Sequence, residues 1–160
     1  MPASSPHLHS THIRLHINAP RPAVYRALLD PDTIAQWKVP DGMSIHIHEF
    51  DPREDGAFRV SLTYDAPSAT GKSTAHTDTY HGRFAKLVPD TQVVERLEFE
   101  TADRNMQGEM TITYTLADAS AGTELQAVHG PLPPGLSPAD NELGWQLSTA
   151  KLKALLESRT

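Results

Sequence analysis

The sequence predicts an α+β domain in which a curved antiparallel sheet of about seven strands wraps around a long C-terminal helix. Three observations carry this prediction. An alternating strand pattern comes first, two short helix patterns and about six further strand patterns follow, and an extended helix pattern lies near the end. Turn-like pieces join the strands, which favours antiparallel pairing. Because a sheet and a helix must each cover an apolar side, this order favours one sheet packed on the last helix.

The first strand and the two short helices have clear signals. THIRLHIN alternates apolar and polar residues, as a half-buried strand does. APRPAVYRALLDPDTIAQW has prolines at its start and at an internal break, which predicts helices over about 21–29 and 31–37. Asp30 is placed to cap the second helix, with Pro31 in its first turn.

The middle of the chain is dominated by period-two patterns, of which GEMTITYTL is the clearest. In MSIHIHEF, Ile45 and Ile47 take the buried face, so His46 and His48 are predicted on the convex, solvated side. Phe50 has the same parity as the histidines. A bulge or the approaching turn must therefore turn it inward.

The long helix pattern runs from LSPADNELGW to the end, with Ser137 as its predicted N-cap and Pro138 at its first position. One narrow polar face is predicted, and leucines and Trp145 spread over much of the rest. A helix this widely apolar requires a large covering surface. The polar face is predicted to contain Glu142, Gln146, Thr149, Lys153 and Glu157.

Composition excludes several classes of function. The 14 basic and 20 acidic residues give a net charge of −6, which argues against a nucleic-acid partner because phosphate binding needs a basic patch. The absence of cysteine fits a cytoplasmic location. No secretory signal or membrane span is expected.

The predicted organisation is a flexible segment over residues 1–10 and a single domain over 11–158.

Five ordered motifs resemble a known family. They are INAPRPAVYRALLDPDTIAQWKVPDG, DPREDGAFR, YHGRFAKLVPD, GTELQAVHGPL and GWQLSTAKLKALLE. Together they resemble the START-like SRPBCC superfamily, and within it the branch of homologues of the heat-shock-protein-90 ATPase activator. The resemblance covers about residues 11–157 and implies a helix-grip fold, often with an apolar cavity. One departure is that Glu54, Asp55 and Gly56 stand where the family usually has two adjacent glycines.

The resemblance leaves three functions open. We expect a binding protein for a small, apolar or aromatic molecule held between the sheet and the last helix. The alternatives are a cofactor-free cyclase or hydratase in the same cavity, and a protein-interaction or stress-response domain related to chaperone ATPase activators. Fold analogy does not choose among them. Whether the protein is an enzyme stays undecided, and a homodimer is compatible with the sequence.

Residues on the predicted inner face are the candidates for ligand contact, because a cavity would be bounded by that face and by the last helix. The sheet-side and helix-side candidates are Trp37, Phe58, Tyr64, Tyr80, Phe84, Glu95, Phe99, Met110, Tyr114, His129, Asn141 and Trp145.

Two of these candidates carry acid–base chemistry. Glu95 shares a face with Val93, Leu97 and Phe99, so its carboxylate would enter the cavity. His129 shares a face with Leu125 and would need an orienting partner to act as a base. Each residue also has a structural alternative. A bulge could turn Glu95 outward or a partner inside the protein could pair with it, and His129 could be a hydrogen-bonded core residue.

No cofactor and no physiological metal are expected. Four of the nine histidines lie in the first 16 residues, at positions 7, 9, 12 and 16. A transition-metal site needs three or four convergent ligands with oriented partners, and no acid or cysteine stands at a suitable spacing from these histidines.

Overall fold

A computed structural model describes residues 9–65 and 76–159 of the chain. Most of the predicted flexible segment, residues 1–10, lies outside the described residues. The division of the chain into that segment and a domain over 11–158 stays a prediction.

Among the described residues, seven strands form one sheet, and every neighbouring pair is antiparallel. The order across the sheet is β1-β7-β6-β5-β4-β3-β2, so that β1 and β2 are its two edges. The predicted curved antiparallel sheet is confirmed. Its strands are β1 (Thr11–Ile17), β2 (Met43–Phe50), β3 (Ala57–Tyr64), β4 (Thr77–Val88), β5 (Gln92–Phe99), β6 (Met110–Asp118) and β7 (Thr123–Gly130).

The part of the chain that the structure describes also contains three α-helices, namely α1 (Arg21–Leu29), α2 (Pro31–Trp37) and α3 (Pro138–Glu157). The predicted bounds of the two short helices are confirmed. Both predicted caps are present, because the Asp30 side chain accepts from the Asp32 N–H at 3.1 Å and the Ser137 hydroxyl accepts from the Asp140 N–H at 3.2 Å. Each cap satisfies a backbone donor that the first helical turn cannot.

Helix α3 lies against the concave face of the sheet, where it packs on β1 and on α2. Its buried stripe consists of Trp145, Thr149, Leu152 and Leu156. Apolar side chains of alternate positions on the strands meet this stripe and form the core. Since α3 keeps to the β1 edge, the concave surface of β3, β4 and β5 is farther from the helix.

The structure corrects the predicted faces of α3 at three positions. Thr149 is buried, not solvated, because its hydroxyl donates to the Trp145 carbonyl oxygen one turn earlier at 2.7 Å and so needs no water. Conversely, Leu143 and Leu147 are 54% and 50% exposed. The sheet covers a narrower part of the helix than its apolar composition suggests.

Strand β2 contains the irregularity that Phe50 requires. Ile47 pairs with Val60 and Glu49 pairs with Arg59, so His48 lies between them in a bulge. The bulge changes the parity of the strand. Phe50 therefore turns inward, and its ring packs 5.4 Å from that of Phe84.

The turn between β2 and β3 contains the departure from the family motif. Asp55 has a φ of 64°, in the left-handed region that glycine occupies most easily. Aspartate is one of the few other residues that tolerate this region. The hairpin thus keeps a glycine-like backbone at a non-glycine position.

No helix among the described residues is both long enough and apolar enough to cross a membrane.

Gly82, in the middle of β4, is predicted to tolerate no side chain. A Cβ atom there would overlap the carbonyl oxygen of Arg96 on β5, whereas a Cβ atom at Gly144 on α3 would meet no atom within 4 Å. We expect Gly82→Ala to lower the free energy of unfolding by about 2 kcal/mol or more.

The matched control is Gly144→Ala, which should keep or raise stability because alanine favours a helix by up to about 1 kcal/mol. Urea unfolding followed by circular dichroism measures both. Equal stability of Gly82→Ala and the unsubstituted protein would contradict the close approach of β4 to β5.

Candidate functional site

A cavity of about 360 Å³ lies between the concave face of the sheet, the segment after α2 and the first half of α3. This volume falls within the range of small-molecule sites, about 300–1,000 Å³. The wall is mainly apolar, with a few polar side chains. It consists of Met43, Leu62, Tyr64, Asp78, Tyr80, Leu97, Phe99, Met110, Ile112 and His129 from the sheet, Lys38, Pro40 and Asp41 after α2, and Leu136, Asp140, Asn141, Gly144, Trp145 and Ser148 from α3 and the residues before it.

Strand alternation places these side chains on one surface. Leu62 and Tyr64 share a parity on β3, as Leu97 and Phe99 do on β5. The register carries this alternation across the sheet, since Tyr80 pairs with Phe99 and Ile112 pairs with His129. The cavity remains because no side chain of α3 reaches across to fill the space above β3, β4 and β5.

A hydrogen-bond network closes one end of the cavity and joins β7 to α3. Trp145 Nε1 donates to His129 Nδ1 at 3.0 Å, and Asn141 Nδ2 lies 3.1 Å from the same nitrogen. Asn141 Nδ2 also donates to Thr11 Oγ1 on β1 at 2.8 Å. The His129 Nε2 atom in turn faces Met110 Sδ on β6 at 3.1 Å. The network therefore links α3 to three strands, β1, β6 and β7.

The network determines the tautomer of His129. An indole N–H can only donate, so Nδ1 of His129 must be the unprotonated acceptor. The proton is then on Nε2, which faces the weak acceptor sulfur of Met110. Both ring nitrogens are engaged by the protein.

His129 is neutral at pH 7. Its burial, assisted by the positive charge of Lys38, lowers its pKa from 6.5 to about 4. An imidazolium here would lose the Trp145 hydrogen bond as well as its hydration.

A buried ion pair lies beside the cavity. Lys38 follows the last residue of α2, and its ammonium is 3.3 Å from Glu95 Oε1 on β5. The side chains of Lys38 and Glu95 are only 17% and 4% exposed. Burial acts to lower the pKa of Lys38, but the Glu95 charge and the two nearby tyrosine hydroxyls outweigh it and raise the pKa well above its ordinary value. The lysine is therefore charged.

Two tyrosines surround this ammonium. Lys38 Nζ lies 5.7 Å from the centre of the Tyr114 ring. Burial raises the pKa of Tyr80 and of Tyr114 although the Lys38 charge acts against it, so both hydroxyls keep their protons. The Tyr114 hydroxyl, close to the ammonium, has no well-formed hydrogen bond among the described residues.

Seven of the twelve side chains predicted to contact a ligand line the cavity, and whether they bind one stays a prediction. They are Tyr64, Tyr80, Phe99, Met110, His129, Asn141 and Trp145.

The other five predicted side chains lie behind the wall. The Phe58 ring packs at a tilt against that of Phe84, with 5.2 Å between ring centres, and edge-on against that of Tyr80 at 6.2 Å. Trp37 fills the space under the short helices, where its Nε1 donates to the Ala27 carbonyl at 3.3 Å. Glu95 faces inward as its parity predicts but is held by Lys38, and Tyr114 packs 5.8 Å from Trp145.

Lys38 is the residue that the sequence patterns missed. It stands outside every strand and helix, so no periodicity assigned it a direction. Leu62, Asp78, Leu97 and Ile112 were also missed, although each has the parity of a predicted neighbour on its strand. That shared parity was the available signal.

No cluster of three or more metal-ligating side chains is present in the described ranges. His12 and His16 are exposed on β1, and His46 stacks edge-on to His48 on β2 at 4.4 Å, away from the cavity. His7 lies outside the described residues.

The seven-stranded antiparallel sheet and the C-terminal helix packed on it define an α+β protein with a helix-grip fold. Comparison with protein families then identifies the branch. The family model described as Activator of Hsp90 ATPase homolog 1-like protein matches residues 18–157, and the chain belongs to this family. The predicted resemblance is thereby confirmed.

Solved structures share the fold of this chain. Protein CV1439 from Chromobacterium violaceum is 31% identical, with a TM-score of 0.82 over 92% of this chain and 96% of that one. The AHSA1-like protein from Aeromonas hydrophila is 20% identical, with a TM-score of 0.69 over 94% of each chain. DynU16, a protein in the dynemicin biosynthetic locus, shares the fold at 19% identity, with a TM-score of 0.65 over 94% of this chain and 48% of that one. No curated protein matches the chain.

The pKa of His129 predicts a loss of stability in mild acid. The unfolded chain takes up this proton near pH 6.5 and the folded protein only near pH 4. The contribution of neutral His129 is therefore complete above pH 6.5 and is lost as the pH falls from 6.5 to 4, by on the order of 3 kcal/mol. The measurement is the free energy of urea unfolding at pH 7.5 and pH 4.5.

His129→Gln removes the titrating group and keeps an acceptor for Trp145, so its stability should fall less between the two pH values than that of the unsubstituted protein. His12→Gln, on the exposed face of β1, is the control. Its free energy of unfolding should fall by as much as that of the unsubstituted protein. An equal loss in all three proteins would show that His129 is not the acid-sensitive group.

Proposed function

We propose that the protein binds a small, largely apolar molecule in the cavity between the sheet and α3. The observation that carries this proposal is the cavity itself, about 360 Å³ in volume with a mainly aliphatic and aromatic wall. Affinity would come from apolar burial, at about 25 cal/mol per Å² removed from water. The cysteine-free composition supports a cytoplasmic setting for this activity.

Two features favour binding over catalysis by the predicted acid–base groups. His129 has its Nδ1 lone pair occupied by Trp145 and its Nε2 proton directed at Met110, so neither nitrogen is free to exchange a proton with a substrate. Glu95 lies behind the wall and in an ion pair with Lys38. A cyclase or hydratase reaction would need one of these groups released.

Access to the cavity is on the side of Asp41 and Asp140. The Asp41 side chain is 81% exposed and pairs with Lys151 of α3 at 2.7 Å, and Asp140 is exposed in the first turn of α3. A ligand entering here would pass a polar rim before it reaches Trp145 and Phe99. This polar rim around an apolar interior is the usual composition of a small-molecule site.

Gly144→Leu tests the proposal. Gly144 lines the cavity, and a side chain there would point into open space, so leucine should fill the cavity without a clash. Titration with the neutral fluorescent probe N-phenyl-1-naphthylamine should give saturable binding to the unsubstituted protein. Gly144→Leu should weaken that binding by at least about tenfold, which is about 1.4 kcal/mol.

Ala150→Leu is the matched control, because it adds the same side chain at an exposed position of the same helix. It should leave probe binding unchanged. Equal probe binding by Gly144→Leu and Ala150→Leu would place the probe outside the cavity and overturn the proposal. The proposal would also be overturned if the unsubstituted protein did not bind the probe.

A further inference from the structure

The part of the cavity wall around Lys38 has hydrogen-bond donors that the protein does not use. An ammonium group carries three donors. Among the described residues, the Lys38 ammonium contacts Glu95 at 3.3 Å and lies close to the Tyr114 hydroxyl, which leaves a third donor without a side-chain partner. Buried donors of a charged group are costly to leave unsatisfied, so this position favours an acceptor supplied from the cavity.

Tyr80 adds a second donor at the same place. Its ring lines the cavity, it is 7% exposed, and its hydroxyl makes no hydrogen bond within the described ranges. Tyr80 and Lys38 are close enough that each shifts the proton affinity of the other. Two donors therefore converge on one region of an otherwise apolar wall.

The surrounding charges determine what kind of acceptor fits. The positive charge of Lys38 is already balanced by Glu95 at 3.3 Å. Lys38 is the only cationic side chain among the described residues that line the cavity, since His129 is neutral. The acidic side chains of the wall, of which Asp41 is itself paired with Lys151, offer an anion no compensating charge. An anionic ligand group would add a negative charge to this poorly hydrated region, whereas a neutral oxygen would accept the hydrogen bonds without that cost.

We propose that the ligand is a neutral, ring-containing apolar molecule with a ketone-type oxygen, and that this oxygen binds to Lys38 Nζ and the Tyr80 hydroxyl. This inference rests on the proposed function and specifies its ligand class. Carboxylates of the same shape are rejected by the charge balance of the wall. The aromatic rings of Trp145 and Phe99 contact the rest of the molecule.

Three bicyclic probes of one frame test this chemistry. They are α-tetralone, which has the ketone oxygen, tetralin, which lacks it, and the tetralin carboxylate. Their affinities are measured at pH 7.5 by displacement of N-phenyl-1-naphthylamine or by calorimetry. We expect the carboxylate to bind the unsubstituted protein at least tenfold more weakly than α-tetralone.

The decisive variant is the double substitution Lys38→Met with Glu95→Gln, which removes both charges together. Removing only one charge would leave its partner buried and unpaired. The double variant should weaken α-tetralone binding by about tenfold or more and change tetralin binding by less than about threefold. Tyr80→Phe keeps the ion pair. It should weaken α-tetralone binding by a smaller factor than the double variant does, and it should leave tetralin binding unchanged.

Lys153→Met with Glu157→Gln is the matched control, since it removes an ion pair of α3 whose residues do not line the cavity. It should leave the ratio of the two affinities unchanged. The double variant and Tyr80→Phe could each weaken α-tetralone and tetralin binding by the same factor. In that case the cavity remains a binding site, but the inference that Lys38 and Tyr80 bind a ketone oxygen fails. Tightest binding of the carboxylate would overturn the inference in favour of an anionic ligand. If no probe binds, the proposed function and this inference both fail.

Discussion

The hydrogen bond from Trp145 to His129 is the interaction on which the arrangement of the site depends. It joins α3 to β7 at 3.0 Å, and the Asn141 contact with Thr11 extends the link to β1. Because these contacts hold the helix at the β1 edge, the opposite part of the concave sheet is left uncovered. The cavity is the consequence. The same hydrogen bond holds His129 in a single tautomer, and burial keeps the ring neutral, so that both ring nitrogens are engaged by the protein.

The second constraint is the buried pair of Lys38 and Glu95. A buried ion pair is weak evidence for stability, since apolar replacements of both partners often do as well. Its position suggests another use. Glu95 anchors the ammonium from behind the wall, and Lys38 lines the cavity together with the protonated Tyr80. Under the proposed function, this charge-balanced pair would orient a ligand whose affinity comes from apolar burial. The family assignment agrees with such a site and does not specify its occupant.

Local signals predicted the fold well, and the site only in part. Proline positions and the Asp30 cap located both short helices, and the parity argument at Phe50 required the bulge that β2 contains. Period two also placed Glu95 and His129 on the inner face. Parity gives direction but not depth, so it could not separate Phe58 and Phe84 from the cavity-lining aromatic residues. Lys38 was not predicted because it lies outside the helices and strands, where no periodic pattern assigns a side chain to a face. The direction of its side chain depends instead on Glu95, which is distant in sequence. Thr149 was misplaced because a threonine hydroxyl can bond to its own helix.

A crystal structure of the protein soaked with α-tetralone tests the central claim most directly. We predict electron density for one bicyclic ring in contact with Trp145, with the ketone oxygen within about 3.2 Å of Lys38 Nζ. Side chains that occupy the cavity in the crystal, or a tetralone molecule seen only on the outer surface, would contradict the claim.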